Sequence, residues 1–473
     1  MAGEKVFIGP KLRELRNSRN FTQAQMAGEL GVSASYINLL EKNQRPASLK
    51  FLVTLSDRLG VNWQDVANTD TSLALSELRQ LTQDAAFGDR IPDIEELRSA
   101  LEHSPNLVNG FMNIYNAYRV YGEKLAEQSE FLAADSDAGS SNLGAEYSVH
   151  DLFRGSNNYF AEIENCAEQC FGGKNIIRDD LYSELKHLLE KNLGIRIVQT
   201  RDEVLGSTLR YFDRENSELF LSDGLDHQNR VFQLAHMIAL IQFDEVLNEQ
   251  LPKRVLNDQI AASRCRVELA NYFAAAVMMP YDEFYEEAQL AKYDIDRLAA
   301  RFSVSYEQVC HRLTTLQKPG KCGIPFFFLR IDRGGNVSKR FNVTPIQLAR
   351  FGGACPKLDV HYCFRVPGRI LSQIVEMPDH SRYLTINRTV DRPSIRYSTE
   401  DKRLAVSLGC AIQYAPELIY SKNMDLNATP MVTEVGVNCR LCPRKNCRQR
   451  AHDPFFSSLK IDEDRRGITH FES

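Results

Sequence analysis

The chain has 473 residues, 43% apolar and 25% charged, with a formal net charge of −5. That composition is ordinary for a soluble globular protein and, at roughly 100–200 residues per domain, leaves room for about three. No run approaches the ~18 apolar residues of a membrane-spanning helix. The start, Met1-Ala2-Gly3-Glu4-Lys5, lacks the basic-then-apolar order of a signal sequence, so a cytoplasmic location is expected.

The charge is unevenly spread. Residues 1–60 carry nine Lys/Arg against five Asp/Glu, which leaves the remainder acidic. A basic module on an acidic body suits a reader of double-stranded DNA, because phosphate contacts supply most non-specific affinity.

Residues 9–59 show apolar positions at helical spacing, broken by short turns. Leu12 and Leu15 mark a first helix. Thr22 followed by Gln25 is a capping-box pattern that opens a second, with Met26, Ala27 and Leu30 inward. Gly31 permits the sharp exit. Ser33 caps a third helix whose buried face is Ile37 and Leu40, and Ser48 caps a fourth with Leu49, Leu52 and Leu55 inward. This pattern resembles the Cro/phage-repressor (Xre-like) helix-turn-helix family. The resemblance implies that the third helix enters the major groove, with Ser33, Ala34, Ser35, Tyr36 and Asn38 facing base edges. Gln23 would grip a phosphate from the preceding helix, and Asn43 and Arg45 would touch the backbone.

The helix-turn-helix domain is assigned to residues 1–70 and a helical connector and linker to 71–147. In the connector, Leu97, Leu101, Leu107, Phe111, Ile114, Tyr115 and Tyr118 recur at spacings suited to one packed face. That face serves either a homodimer, as two-half-site readers require, or the chain itself. The polar run 135–142 reads as a linker.

Residues 148–319 are helix-rich. The segment containing His236-Met237-Ile238-Ala239-Leu240, and a later one from Glu268 to Pro280, resemble the IrrE/ImmA-type metallopeptidases. Such hydrolysis needs His-Glu-x-x-His, two imidazoles on one zinc and a carboxylate base. Here Met237 replaces the base and Leu240 the second histidine; Glu268 remains as a third-ligand candidate. The expectation is an inactivated, degenerate zincin-like domain and no enzyme. Losing those polar groups makes the cavity more apolar and suited to a small acyl chain. Tyr159, His236, Tyr272 and Tyr281 are its candidate liners, though each tyrosine reads more readily as a core aromatic.

Residues 320–473 change texture. Candidate strands at 325–331, 337–341, 369–376, 382–390, 394–398 and 404–412 predict an α+β domain with an antiparallel sheet. The expected fold class is therefore multidomain, with an all-α head, a helix-rich middle domain and an α+β C-terminal domain.

Seven of the eleven cysteines follow residue 321. In a reducing compartment clustered thiols more often bind metal than form disulfides. Cys439, Cys442 and Cys447 lie within nine residues, among Arg440, Arg444, Lys445, Arg448 and Arg450. These cations favour thiolates. A fourth ligand must come from elsewhere, with Cys410 the first choice and Cys355 the second. One CxxC pair plus irregular partners leans towards a [4Fe–4S] cluster over structural zinc.

Taken end to end, the chain resembles the short-chain fatty-acyl transcriptional regulators, the family of the mycobacterial propionate and glyoxylate regulators. Besides the head and the cysteine run, the resemblance rests on Asn271-Tyr272-Phe273-Ala274, the segment 309–317, Gly352-Gly353-Ala354-Cys355-Pro356 and Pro367-Gly368-Arg369-Ile370. It implies control of short-chain fatty acid, propionate or glyoxylate genes, with a short-chain acyl-CoA as effector. Two rivals stay open: a redox or iron sensor whose cluster alone is the signal, and an active zinc peptidase fused to a DNA-binding domain.

Overall fold

The computed structural model describes residues 8–59 (except 20 and 43), 75, 78–79, 81–82, 92–118 (except 106), 142–170, 180–201, 205, 208–344, 346, 348–349, 353–392, 402–426 and 431–454. The chain divides into two compact units, residues 1–135 and 136–473. The expected linker at 135–142 lies almost wholly outside the described residues, as does the expected strand at 394–398.

The first unit opens with four helices: α1 (Gly9–Ser18), α2 (Gln23–Leu30), α3 (Ala34–Glu41) and α4 (Leu49–Leu59). Their boundaries follow from local chemistry. The Thr22 hydroxyl accepts the Gln25 amide while the Gln25 side chain accepts the Thr22 amide, a closed capping box. Gly31 ends α2 at φ 66°, a left-handed conformation cheap only for glycine. Ser33 caps α3 through the Tyr36 amide, and the Phe51 amide donates to Ser48. Leu12, Met26, Leu30, Ile37, Leu40, Phe51, Leu52 and Leu55 form one core.

Helix α5 (Ile94–His103) begins on a capping box at Asp93 and Glu96. Leu97, Leu101 and Val108 bury together with Leu78. The apolar face expected to run from Leu97 to Tyr118 therefore splits: on the helical stretch 107–118, Leu107 (74%), Phe111 (40%), Ile114 (70%) and Tyr118 (42%) are exposed.

The second unit starts with α6 (Asn142–Gly155), α7 (Ala161–Gln169) and α8 (Leu181–His187). A three-stranded sheet follows, of β1 (Arg196–Thr200), β2 (Arg210–Asp213) and β3 (Glu218–Ser222), ordered β1-β3-β2 with β1 and β3 parallel. These short strands were not legible in the helix-rich reading. Then come α9 (His227–Gln242), α10 (Gln259–Met278), α11 (Tyr281–Leu290), α12 (Ile295–Phe302) and α13 (Tyr306–Leu313). Helix α10 is buried around most of its circumference from Cys265 to Met278, so its alanines permit close packing by neighbours.

The C-terminal sheet comprises β4 (Phe326–Ile331), β5 (Val337–Asn342), β6 (Leu371–Glu376), β7 (Arg382–Arg392), β8 (Lys402–Ala411) and β9 (Val432–Glu434). Its order is β9-β6-β7-β8-β4-β5. All neighbours are antiparallel, as expected, except the parallel edge pair β9–β6. One apolar core runs from Leu152 through α10 to Phe326, Phe328, Phe341, Val406, Leu408 and Cys410, so the middle helices and this sheet share an interior. Among the described residues no helix is long and apolar enough to cross a membrane.

Candidate functional site

In the head, Ser33, Ala34 and Ser35 are exposed at the start of α3, and Asn38 is half-buried. Tyr36 is held by an edge contact with Phe51 (5.6 Å) and by the Arg45 guanidinium 5.3 Å over its ring. Asn43 lies outside the described residues. Gln23, the candidate phosphate contact, donates its amide to Glu41 at 2.8 Å. Glu41 is buried and also receives Arg16 at 2.6 Å, while Arg13 reaches its carbonyl at 3.1 Å. This carboxylate joins α1, α2 and α3, and sequence reasoning missed it because a glutamate ending a helix reads as a surface charge.

In the body, the four acyl-CoA candidates fall into two groups. Tyr159, Tyr272 and Tyr281 gather around a buried ion pair, Arg312 from α13 and Glu164 from α7. Arg312 meets both carboxylate oxygens, at 2.6 and 3.0 Å, and Tyr272 donates its hydroxyl to the same carboxylate at 2.6 Å. The Arg312 guanidinium also stacks over Tyr272 and Tyr281, and Tyr159 packs edge-on against Tyr281 at 5.6 Å. Burial raises the Tyr272 pKa well above the usual range, and the Glu164 charge adds to this, so the phenol stays a donor.

His236 belongs elsewhere. It is buried on α9, and its Nδ1 lacks a hydrogen-bond partner. Burial, with the nearby Arg210 charge, brings it down to about 3, so it is neutral. Glu268 lies within its electrostatic reach. That carboxylate accepts Lys339 Nζ from β5 and Asn271 Nδ2, each at 3.1 Å. Burial pushes Glu268 up, but Lys339 and Asn271 prevail and hold it at about 2. Glu268 thus carries a lysine ammonium as its counter-ion, supplied by a strand that the sequence does not place there. Met237 is buried at the base position and Leu240 packs against the core.

The cysteine centre departs from the first-choice ligand set. Cys410 sits mid-sheet on β8, paired with Phe326 and Leu384, inside the main core. Burial, with Glu417 adding, pushes its thiol up to about 12. Cys355, the second choice, lines the same pocket as Cys439, Cys442 and Cys447. Cys355 interacts electrostatically with Cys439 and Cys442, and Cys442 with Cys447. Among the described residues no three His, Cys, Asp or Glu side chains converge to hold a single metal ion.

Burial raises the Cys355 and Cys442 thiols despite the surrounding cations. The expected thiolate-favouring effect is present, since Arg444 and Arg450 pull Cys442 down, but desolvation is the larger influence. Arg444 is partly diverted: it donates to the carbonyls of Val435 (3.0 Å) and Glu376 (2.9 Å). Gly436 leaves the space for Cys442, because a Cβ there would lie 2.6 Å from its sulfur. Gly436→Ala is therefore expected to displace Cys442 and raise its reactivity; cysteine alkylation mapped by mass spectrometry checks it, and wild-type labelling of Cys442 would refute it.

A helix-turn-helix head, a peptidase-like helical body and a cysteine-bearing sheet domain together define a multidomain class of protein. The chain matches a helix-turn-helix family over residues 12–66, the IrrE N-terminal-like domain over 190–314 and the short-chain fatty acyl coenzyme A regulator C-terminal domain over 315–471. It is 34% identical over 469 residues to the propionyl-CoA carboxylase regulator of Cereibacter sphaeroides, covering 99% of each chain. It is 35% identical over 470 residues to the HTH-type transcriptional regulator RamB of Mycobacterium tuberculosis, covering 99% of this chain and 98% of that one. The HTH-type transcriptional regulator PrpR of the same organism is 30% identical over 463 residues, with 97% and 94% covered. A solved Mycobacterium tuberculosis transcriptional regulator superposes with a TM-score of 0.63 at 34% identity, over 68% of this chain and 97% of that one. The chain belongs to the short-chain fatty acyl coenzyme A regulator family.

Proposed function

We propose that this chain is a DNA-binding transcriptional regulator of short-chain acyl metabolism. Its effector is a short-chain acyl-CoA, and Cys355, Cys439, Cys442 and Cys447 hold a [4Fe–4S] cluster. The observation that carries the reading is the pairing, in one family member, of an exposed α3 reading face with four thiols around a single cavity. Four cysteines on one pocket would supply the all-thiolate set that a [4Fe–4S] cluster takes. When bound, such a cluster supplies sensitivity to oxygen and iron.

The body acts as a sensor and not as a peptidase. No base stands at Met237, and Glu268 is neutralised by Lys339. The tyrosines around Arg312 lie within an apolar shell; Tyr272 and Tyr281 commit their hydroxyls to Glu164 and to the Lys321 carbonyl, which leaves Tyr159 as the candidate handle for a short acyl thioester. For the effector to act it must prefer one arrangement of the protein; equal affinity for both shifts nothing. The exposed Leu107, Phe111, Ile114 and Tyr118, spaced four, three and four residues apart, supply a seam for a homodimer that matches two DNA half-sites.

The test is a titration of acyl-CoAs of increasing chain length against the protein bound to a duplex from its own genomic neighbourhood. A short-chain ester should change DNA affinity while free coenzyme A does not. Response to oxidation alone would favour the redox rival, and peptide cleavage with bound zinc would favour the peptidase. In the same assay Asn38→Ala is expected to relax sequence preference by about 1–3 kcal/mol. Arg45→Ala should weaken all duplexes alike.

A further inference from the structure

The three-cysteine segment has no regular structure of its own: residues 439–450 contain only turns and bends. Something else must fix its shape. Arg450 is 5% exposed, and its guanidinium faces inward. One terminal nitrogen donates to the carbonyl of Cys439 at 2.8 Å and to that of His452 at 3.4 Å. The other donates to the carbonyl of Cys442 at 3.1 Å and to that of Arg444. Four carbonyls across fourteen residues, two of them belonging to cysteines, thus converge on one planar cation. Its Nε–H is buried without a partner, and Arg450 is among the residues lining the cavity that holds the four thiols. A buried, unpaired donor beside sulfur is costly unless an acceptor arrives.

We infer that Arg450 is a positioning residue: it holds Cys439 and Cys442 in ligand-ready geometry before any metal binds and keeps its Nε–H for the sulfur of the occupied site. Several fixed donors are needed at once, and guanidinium supplies them in a rigid fork. Lysine offers the charge without that reach. Of the neighbouring cations, Arg444 is tied to Val435 and Glu376, whereas Arg448 is exposed and serves as the control. The second half of this inference rests on the cluster reading; the first half does not.

The experiment uses the full chain, cluster-free and reduced, with cysteine alkylation mapped by mass spectrometry. Arg450→Gln is expected to raise labelling of Cys439 and Cys442 by about tenfold or more, since reactivity follows the population of the locally opened form. Cys310 and Cys410, buried in the main core, should stay protected and show that the rest of the unit is folded. Arg450→Lys should behave like Arg450→Gln, and Arg448→Gln like wild type. Should Arg450→Gln also expose Cys410, Arg450→Lys with a protected core decides the matter. Wild-type labelling in Arg450→Lys would mean that charge alone suffices and would overturn the inference. The same proteins are then reconstituted anaerobically with iron and sulfide. Wild type that takes up no iron, with the labelling difference intact, removes the cluster reading and leaves the clamp. Wild type that takes up iron, with both Arg450 variants equal to it in iron and labelling, removes the clamp.

Discussion

On the proposed cluster, Cys355→Ser is expected to abolish iron uptake in anaerobic reconstitution, while Cys410→Ser keeps it. The four-thiol cavity includes Cys355 and excludes Cys410, which pairs across β8 with Phe326 and Leu384. Three cysteines from one loop leave a cluster open at its fourth corner, and a serine oxygen is a harder, poorer donor to iron than thiolate. At position 410 the change places a hydroxyl in an apolar interior, which costs about 1–3 kcal/mol of stability. The two variants should therefore separate: one folded and depleted of iron, the other less stable and iron-replete. Iron and sulfide per chain, visible absorption and a thermal melt measure both. Colour lost on Cys410→Ser and retained on Cys355→Ser would reverse the ligand assignment.

Arg312→Met is expected to lower the stability of the second unit by about 3–5 kcal/mol, the usual cost of leaving one member of a buried ion pair uncompensated. The side chains of Arg312 and Glu164 are 0% and 5% exposed, so water cannot replace the missing partner. The change also frees the Met279 carbonyl and the Thr315 hydroxyl, both of which Arg312 engages. Arg301→Met, which removes an exposed pair with Glu283, should cost under about 1 kcal/mol. The double change Glu164→Leu with Arg312→Met should recover part of the loss, because no lone charge then remains buried. Denaturant melts of the four proteins test this. A single-variant loss no greater than that of Arg301→Met would show that the pair does not brace the tyrosine cluster.

The contrast between these sites shows what a linear chain discloses. The head was legible because its signals are local: Thr22, Gly31 and Ser33 each act within a few residues and each does what its chemistry suggests. The C-terminal strands were legible because their apolar runs end at turns such as 332–336. Cys355 is the second choice of partner for the three-cysteine run; placing it beside them depends on how the loop carrying Cys355 meets the loop after β9, and no spacing rule encodes that meeting. Cys410 is the first choice, yet β8 is buried on both faces and holds it inside the sheet. The buried charges were equally hidden. Glu164, Arg312 and Lys339 lie on elements whose patterns suggest surface positions, and their partners are over 70 residues away. The one available hint was the segment Val309-Cys310-His311-Arg312-Leu313, where every residue proves buried and only a charged partner could make that tolerable.

The shared apolar interior has a final consequence. The sequence families change at residues 314 and 315, yet Phe326, Phe328, Val406 and Leu408 pack into the same oil-like mass as α10. That border is a genealogical seam and not a joint. Cut there, either half would present a bare greasy wall to water and would aggregate sooner than work. Kept whole, the body yields as a close-packed solid does, so a displacement on the tyrosine side is passed to β8 by direct pressure.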